Sequence, residues 1–149
     1  MSDLPDMIVR LEGLPDPRPI ERRLADEGYA VQRATIRRRP AVAAFIERHF
    51  SERWALGIAA AYSRRPASLF VALSGDGIVG FAAYDCAYRG YFGPMGVRAD
   101  LRGIGLGSAL LLRTLEDMAN QAYKWAVIGE VGPVAFYEKA CGAVVIPGS

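Results

Sequence analysis

Three glycines and two arginines crowd together in Val97-Arg98-Ala99-Asp100-Leu101-Arg102-Gly103-Ile104-Gly105-Leu106-Gly107-Ser108. An apolar run ends at Val97, and a helical apolar period begins near Ile104. The first turn of a helix carries amides with no intrahelical acceptor, and its aligned dipoles add partial positive charge. Glycines let a ligand approach that backbone closely, and Arg102 adds a formal charge. The junction therefore reads as an anion site suited to phosphate or diphosphate. The competing reading is a tight turn and nothing more. A Walker loop is excluded, because Gly107 is followed by Ser108 and Ala109 instead of Lys-Ser/Thr. A dinucleotide fingerprint would place Ser108 at its third glycine, and only about forty residues follow Gly107, too few for the βαβ series it should open.

Other reactive residues are sparse. His49 is the only histidine and sits among Phe45, Ile46 and Phe50, which reads as packing more than as a base. No His/Cys/Asp cluster has ligand spacing, so no metal is expected. Cys86 reads as a small core residue. Cys141 could act as a nucleophile, yet no histidine neighbours it to activate it. Two cysteines make no disulfide framework, and a reducing cytoplasm is the default expectation. The run Arg37-Arg38-Arg39, with Arg33 nearby, is either a solvated face or a surface for an acidic partner. A net charge of +2 and a pI near 8.7 are too mild to imply nucleic acid.

These residues must be held by a folded domain. The 149 residues are 52% hydrophobic and 23% charged, which excludes intrinsic disorder. No uncharged run approaches the ~18 residues of a membrane span, and the acidic start, Ser2-Asp3-Leu4-Pro5-Asp6, lacks the apolar stretch of a secretory signal. A strand is expected over Met7–Leu11, then a proline-punctuated loop, a helix over Ile20–Glu27 stopped by Gly28, and a strand over Tyr29–Ile36. Helices follow over Pro40–Phe50 and Glu52–Ser63, the second with Ser51 as N-cap. Ser68–Leu73 and Ile78–Cys86 flank the turn Ser74-Gly75-Asp76-Gly77 and predict a hairpin. Gly90–Val97 continues the meander. Ile104–Ala122 carries a helical stripe at Ile104, Leu111, Leu115 and Met118. A strand at Trp125–Ile128, a helix at Val134–Ala140 ended by Gly142, and a strand at Ala143–Ile146 complete the order. The fold class is α+β, with a mostly antiparallel sheet and helices on its faces. The division expected is an N-terminal extension, 1–28, packed on a core of 29–149, the whole forming one domain.

Two motifs carry a resemblance. Arg102-x-x-Gly105-x-Gly107 is similar to the acyl-CoA diphosphate loop of the GCN5-related N-acetyltransferases, Gln/Arg-x-x-Gly-x-Gly/Ala. Phe136-Tyr137-Glu138-Lys139-Ala140-Cys141-Gly142-Ala143 resembles the same family's helix after its fifth core strand, often Phe-Tyr-Glu-Lys-x-Gly-Phe. The motifs have the family's order and spacing, and with the elements around them the resemblance covers Tyr29 to Ile146. There are departures. An extra residue precedes Gly142, Ala143 replaces an aromatic, and Gly132-Pro133 stand where an asparagine is frequent. The family's final strand looks short or missing.

The resemblance implies a mixed sheet with a splayed strand pair, and acetyl-CoA as cosubstrate. It implies that the break at Gly93, Pro94 and Gly96 is a bulge, with the Met95 N–H toward the acetyl carbonyl and Val97 pairing with pantetheine. Met95, Gly96, Val97, Arg102, Gly103, Ile104, Gly105, Leu106, Gly107, Ser108 and Phe136 are the cofactor-binding candidates it supplies. Tyr137 falls where the family places its general acid. Glu130 is the candidate base, with Asp85 or a relayed water as alternatives and Glu52 a weaker one. Phe45, Phe50, Trp54, Tyr84, Tyr88 and Tyr91 come from regions flanking the family's acceptor pocket and suggest either an aromatic lining or ordinary packing. The function implied is acetyl transfer to a primary amine of a small molecule or protein, directly in a ternary complex. A non-catalytic acyl-CoA-binding or sensor domain is the alternative. Neither nucleic acid nor membrane is an expected partner, and a homodimer is compatible with the reading.

Overall fold

The computed structural model describes residues 3–149. Seven strands form one sheet: β1 (Met7–Arg10), β2 (Tyr29–Arg33), β3 (Leu69–Ser74), β4 (Gly77–Tyr84), β5 (Tyr91–Val97), β6 (Trp125–Ile128) and β7 (Val144–Val145). Five α-helices accompany them: α1 (Arg18–Asp26), α2 (Arg39–His49), α3 (Glu52–Tyr62), α4 (Leu106–Asn120) and α5 (Val134–Cys141). The expected element order is present, and the expected mostly antiparallel sheet is the one observed. Boundaries moved where a turn intervened. The strand expected to reach Ile36 stops at Arg33, and a 3-10 turn takes Ile36–Arg38. The hairpin strand stops at Tyr84 because Asp85 has a left-handed φ of 57°.

The strand order is β2-β3-β4-β5-β6-β1-β7. All neighbours are antiparallel except β5 and β6. The N-terminal strand therefore lies inside the sheet. Met7 and Val9 are buried in register with Ile128 and Ala126 of β6. The last strand, β7, is short and pairs with β1 alone, through Met7 and Ile8.

Side chains alternating along the strands feed two cores. Phe70, Ala72 and Ala82 pack with Leu24 of α1, with the α4 stripe of Leu110, Leu111, Leu115 and Met118, and with Tyr137 and Cys141 of α5. On the other face Val71, Leu73 and Phe81 pack with Val42 and Ile46 of α2 and with Ile58 and Ala61 of α3. Ser51 caps α3 as expected, accepting from the Trp54 amide at 3.1 Å.

One polar network pins α4 to the sheet. The nearly buried Asp117 carboxylate accepts from both Arg33 terminal nitrogens (3.0 and 2.5 Å) and from the Tyr84 hydroxyl (2.7 Å). Burial and this hydrogen bond push the Tyr84 phenol pKa well up. Asp117→Ala would leave a half-buried guanidinium and a buried hydroxyl without their acceptor, a change that costs about 3 kcal/mol. Thermal melting should fall by about 10 °C. A melting temperature within 2 °C of the parent would show that the network contributes little.

Candidate active site

The junction between β5 and β6 determines the site. Arg98 N–H donates to the Val79 carbonyl (2.8 Å), which makes Gly80–Val97 a non-hydrogen-bonded pair. By the alternation of an antiparallel ladder, Gly96 then pairs with Phe81, while the backbone groups of Met95 and Val97 point away from β4. On that side β6 would normally receive them. It pairs with β5 only at Tyr91–Val127 and Phe92–Ile128 and then diverges. Between Ala82 and Tyr84 the register shifts, and Gly93-Pro94 hold the extra residue of a bulge. The result is a splay on whose inner edge the Met95 and Val97 N–H groups find no acceptor among the described residues. The Val97 carbonyl is taken by Arg102 Nε at 3.3 Å.

A groove of about 1360 Å³ runs through this splay. At one end lies the glycine turn. Gly103 and Gly105 have φ of +86° and +102°, backbone that L-residues rarely adopt. Gly105 is the N-cap of α4, so the helix starts later than the period at Ile104 suggests. The first intrahelical bond joins the Ala109 N–H to the Gly105 carbonyl (3.0 Å). The amides of Leu106, Gly107 and Ser108 precede it and find no acceptor among the described residues. Leu106 contributes only its amide, because its side chain is buried in the core. Gly103, Ile104, Gly105, Gly107, Ser108 and Arg102 all border the groove. The cradle is open and fits a diphosphate.

Further along, Phe136 and Tyr137 enter from α5, their rings edge to face at 5.0 Å between centroids. Tyr137 is 7% exposed, and its ring also packs edge-on against Phe92. Tyr137 borders the groove, and its hydroxyl has no hydrogen-bond partner among the described residues. Burial pushes the phenol pKa up to about 12. The phenol therefore keeps its proton at neutral pH.

Glu130 lies in the loop after β6 and also borders the groove. It has a left-handed φ of 50°, a strained geometry for glutamate that its surroundings hold. Its N–H donates to the Asp6 carboxylate (2.9 Å), and the next amide, Val131, donates to the Pro5 carbonyl (2.7 Å). The carboxylate is exposed and faces Arg53 of α3 at 3.9 Å. Asp85 is elsewhere. It is buried, ion-paired to Arg64 (2.6 Å) and accepting from Tyr123 (2.7 Å) and the Gly90 amide (2.7 Å), and it does not border the groove. Its carboxylate ties down the β4–β5 turn away from the groove, so Asp85 is not placed to act as the base. Glu52 does not border the groove either.

The aromatic lining is smaller than expected. Phe50 and Trp54, stacked at 5.5 Å, wall the far side of the splay. Phe45, Tyr84, Tyr88 and Tyr91 do not reach it. The far edge of the Phe50 ring occupies the space that a Cβ at Gly96 would take. His49 is exposed, edge-on to Phe45 at 4.7 Å. Cys141 is buried, its thiol donating to the Tyr137 carbonyl (3.2 Å), with its pKa raised by burial. Among the described residues no group of three or more His, Cys, Asp or Glu is placed to hold a metal, and no helix is long and apolar enough to cross a membrane.

Among the residues bordering the groove that escaped the sequence reading are Ile20 and Arg23 of α1. Arg23 Nη2 donates to the Ile104 carbonyl at 2.9 Å. Their spacing of three on an amphipathic helix was visible, but nothing local says which element that face meets.

Solved structures share this architecture. A GCN5-related glucosamine N-acetyltransferase region of a fungal multi-domain β-N-acetylglucosaminidase superposes with a TM-score of 0.77 at 16% identity, covering 96% of this chain and 20% of that one. A GCN5-related N-acetyltransferase from Sphaerobacter thermophilus gives 0.74 at 21% identity, covering 97% of this chain and 49% of that one. A GNAT family acetyltransferase from Brucella melitensis, solved with acetyl-CoA, gives 0.60 at 16% identity, covering 81% and 88%. The chain thus spans about a fifth and about half of the first two proteins. No curated protein sequence matches it. The family model described as acetyltransferase (GNAT) domain matches residues 65–140, from before the hairpin through the Phe-Tyr-Glu-Lys helix. With the sheet, the splay and the glycine turn in agreement, the chain belongs to the GNAT acetyltransferase domain family.

Proposed function

We propose that the protein transfers the acetyl group of acetyl-CoA to a primary amine of a small molecule or a protein, directly within a ternary complex. The observation that carries this reading is one continuous groove. It joins the unpaired amides at 106–108, the free Met95 N–H in the splay, and the unpartnered Tyr137 hydroxyl. The amide cradle and Arg102 take the diphosphate. The pantetheine arm lies along β5 and takes the place of the missing strand pairing, with the Val97 N–H as donor. The Met95 N–H polarises the thioester carbonyl, and an amide so placed contributes about 10²–10³ in rate.

The amine nitrogen attacks that carbonyl carbon, the new C–N bond forms and the C–S bond breaks. The amine gives up a proton and the leaving sulfur receives one. Tyr137 supplies the second proton, and Glu130, directly or through water, accepts the first. Phe50 and Trp54 flank the path of the incoming amine.

Cys141 is not available as an acyl carrier, because its thiol is buried and held protonated. Cys141→Ala should therefore keep the parent turnover to within about twofold, and initial-rate plots against both substrates should intersect. Parallel lines, or a Cys141→Ala protein without activity but with intact melting, would overturn direct transfer. The activity itself is tested by thiol release from acetyl-CoA over a panel of amines. Tight acetyl-CoA binding with no release for any amine would make the protein a non-catalytic acyl-CoA-binding domain.

A further inference from the structure

Helix α1 reaches the groove from outside the two motifs, and it is fastened there. Arg18 bonds Glu116 of α4 (2.9 Å), while Arg113 of α4 bonds both Glu21 and Glu116. With α1 anchored, Ile20, Arg23 and Glu27 recur at i, i+3 and i+7 and present one face to the glycine turn. Arg23 Nη2 donates to the Ile104 carbonyl (2.9 Å) and stands where a Cβ on Gly105 would point. The absence of a side chain at residue 105 thus admits the guanidinium beside the cradle.

This placement is electrostatically incomplete. Arg23, Arg102 and the positive end of α4 converge on the same end of the groove. The carboxylate nearest Arg23 is Glu27, 3.7 Å away, with both side chains about half exposed. Such an exposed pair offsets little. A cation set beside a helix N-terminus is unfavourable by itself and favourable once an anion bridges the two.

We propose that Arg23 is a phosphate-binding residue, donating to a phosphate of the CoA nucleotide, so that the N-terminal helix forms one wall of the donor site. The proposal rests on acetyl-CoA being the donor. The phosphate is either the diphosphate or the 3′-phosphate, both of which offer the same oxygens to a guanidinium.

Calorimetric titration with CoA tests it on the parent, Arg23→Ala, Arg23→Lys and Arg22→Ala. The last removes the same charge from an exposed position of α1 that does not border the groove. Arg23→Ala should weaken CoA about 10- to 100-fold, Arg23→Lys less, and Arg22→Ala less than about twofold. Repeating the titration with dephospho-CoA assigns the phosphate. A penalty that persists places Arg23 on the diphosphate, and one that vanishes places it on the 3′-phosphate. Acetyl-pantetheine, which has no phosphate, should be turned over with the same kcat/KM by the parent and Arg23→Ala. Parent-like CoA affinity in Arg23→Ala, or an equal loss with acetyl-pantetheine, overturns the proposal while leaving the donor assignment intact. A parent that does not bind CoA at all overturns both.

Discussion

Replacing Tyr137 with phenylalanine should lower kcat by about 10²–10⁴, the range for removing a positioned proton donor, and leave acetyl-CoA affinity within about twofold. The structure makes this an unusually clean substitution. The ring keeps its contacts with Phe92 and Phe136. The lost hydroxyl has no hydrogen-bond partner among the described residues, so no buried group is orphaned and melting should be unchanged. Only the proton goes. With the phenol pKa near 12, that proton is present throughout the neutral range. The deficit should shrink when the leaving thiol is more acidic, because such a sulfur needs less help. Stopped-flow thiol release with acetyl-CoA and with an activated thioester measures both effects. Equal turnover in the two proteins would remove Tyr137 from the chemistry.

The second large effect is expected at the cradle. Gly105→Val should weaken acetyl-CoA at least about 100-fold, about 2.7 kcal/mol, in addition to the ~1–3 kcal/mol of stability that backbone strain at a left-handed position costs. Two causes act together at this residue. Its φ is +102°, and its missing Cβ is where the Arg23 guanidinium sits. Gly103→Ala separates them. Gly103 is also left-handed, with φ +86°, but a Cβ there meets nothing within 4 Å. It should pay the strain in melting temperature and keep most of the affinity. Gly107→Ala adds a Cβ at 3.5 Å from the Phe136 ring, an ordinary contact, and should be milder still. If Gly105→Val binds acetyl-CoA as the parent does, the diphosphate does not lie on this turn.

The parts that were legible in the sequence are those written in local spacing. The α4 stripe, the Ser74–Gly77 turn, the Ser51 cap and the glycine junction each depend on residues within one or two turns of each other. The bulge at Gly93, Pro94 and Gly96 was expected from the family resemblance, not from local spacing alone. The illegible parts depend on partners distant in the chain. Met7–Leu11 reads as a strand, yet nothing in it says that it will lie between β6 and β7. Asp85 looks like any acid at a strand end until Arg64 and Tyr123 close over it. Gly96 reads as a strand breaker, whereas its missing side chain makes room for the Phe50 ring. Arg23 could be placed on a helix face, but the Ile104 carbonyl that receives it lies 81 positions further along the chain.

The seat of β1 bears on how the polypeptide acquires its shape. Asp6 and Ser149, 143 positions apart, bond to each other, and Asp6 also holds Glu130 across 124 positions. Closure of that flank spans nearly the whole chain, the kind of long-range contact that slows folding. On a ribosome the first strand must wait, apolar and unmatched, until the sixth has been made. The hairpin and α4 are free to form early, whereas the segment that positions Glu130 is among the last to settle. The loop that carries Glu130 therefore sets late, after the glycine turn and α4 are free to have formed.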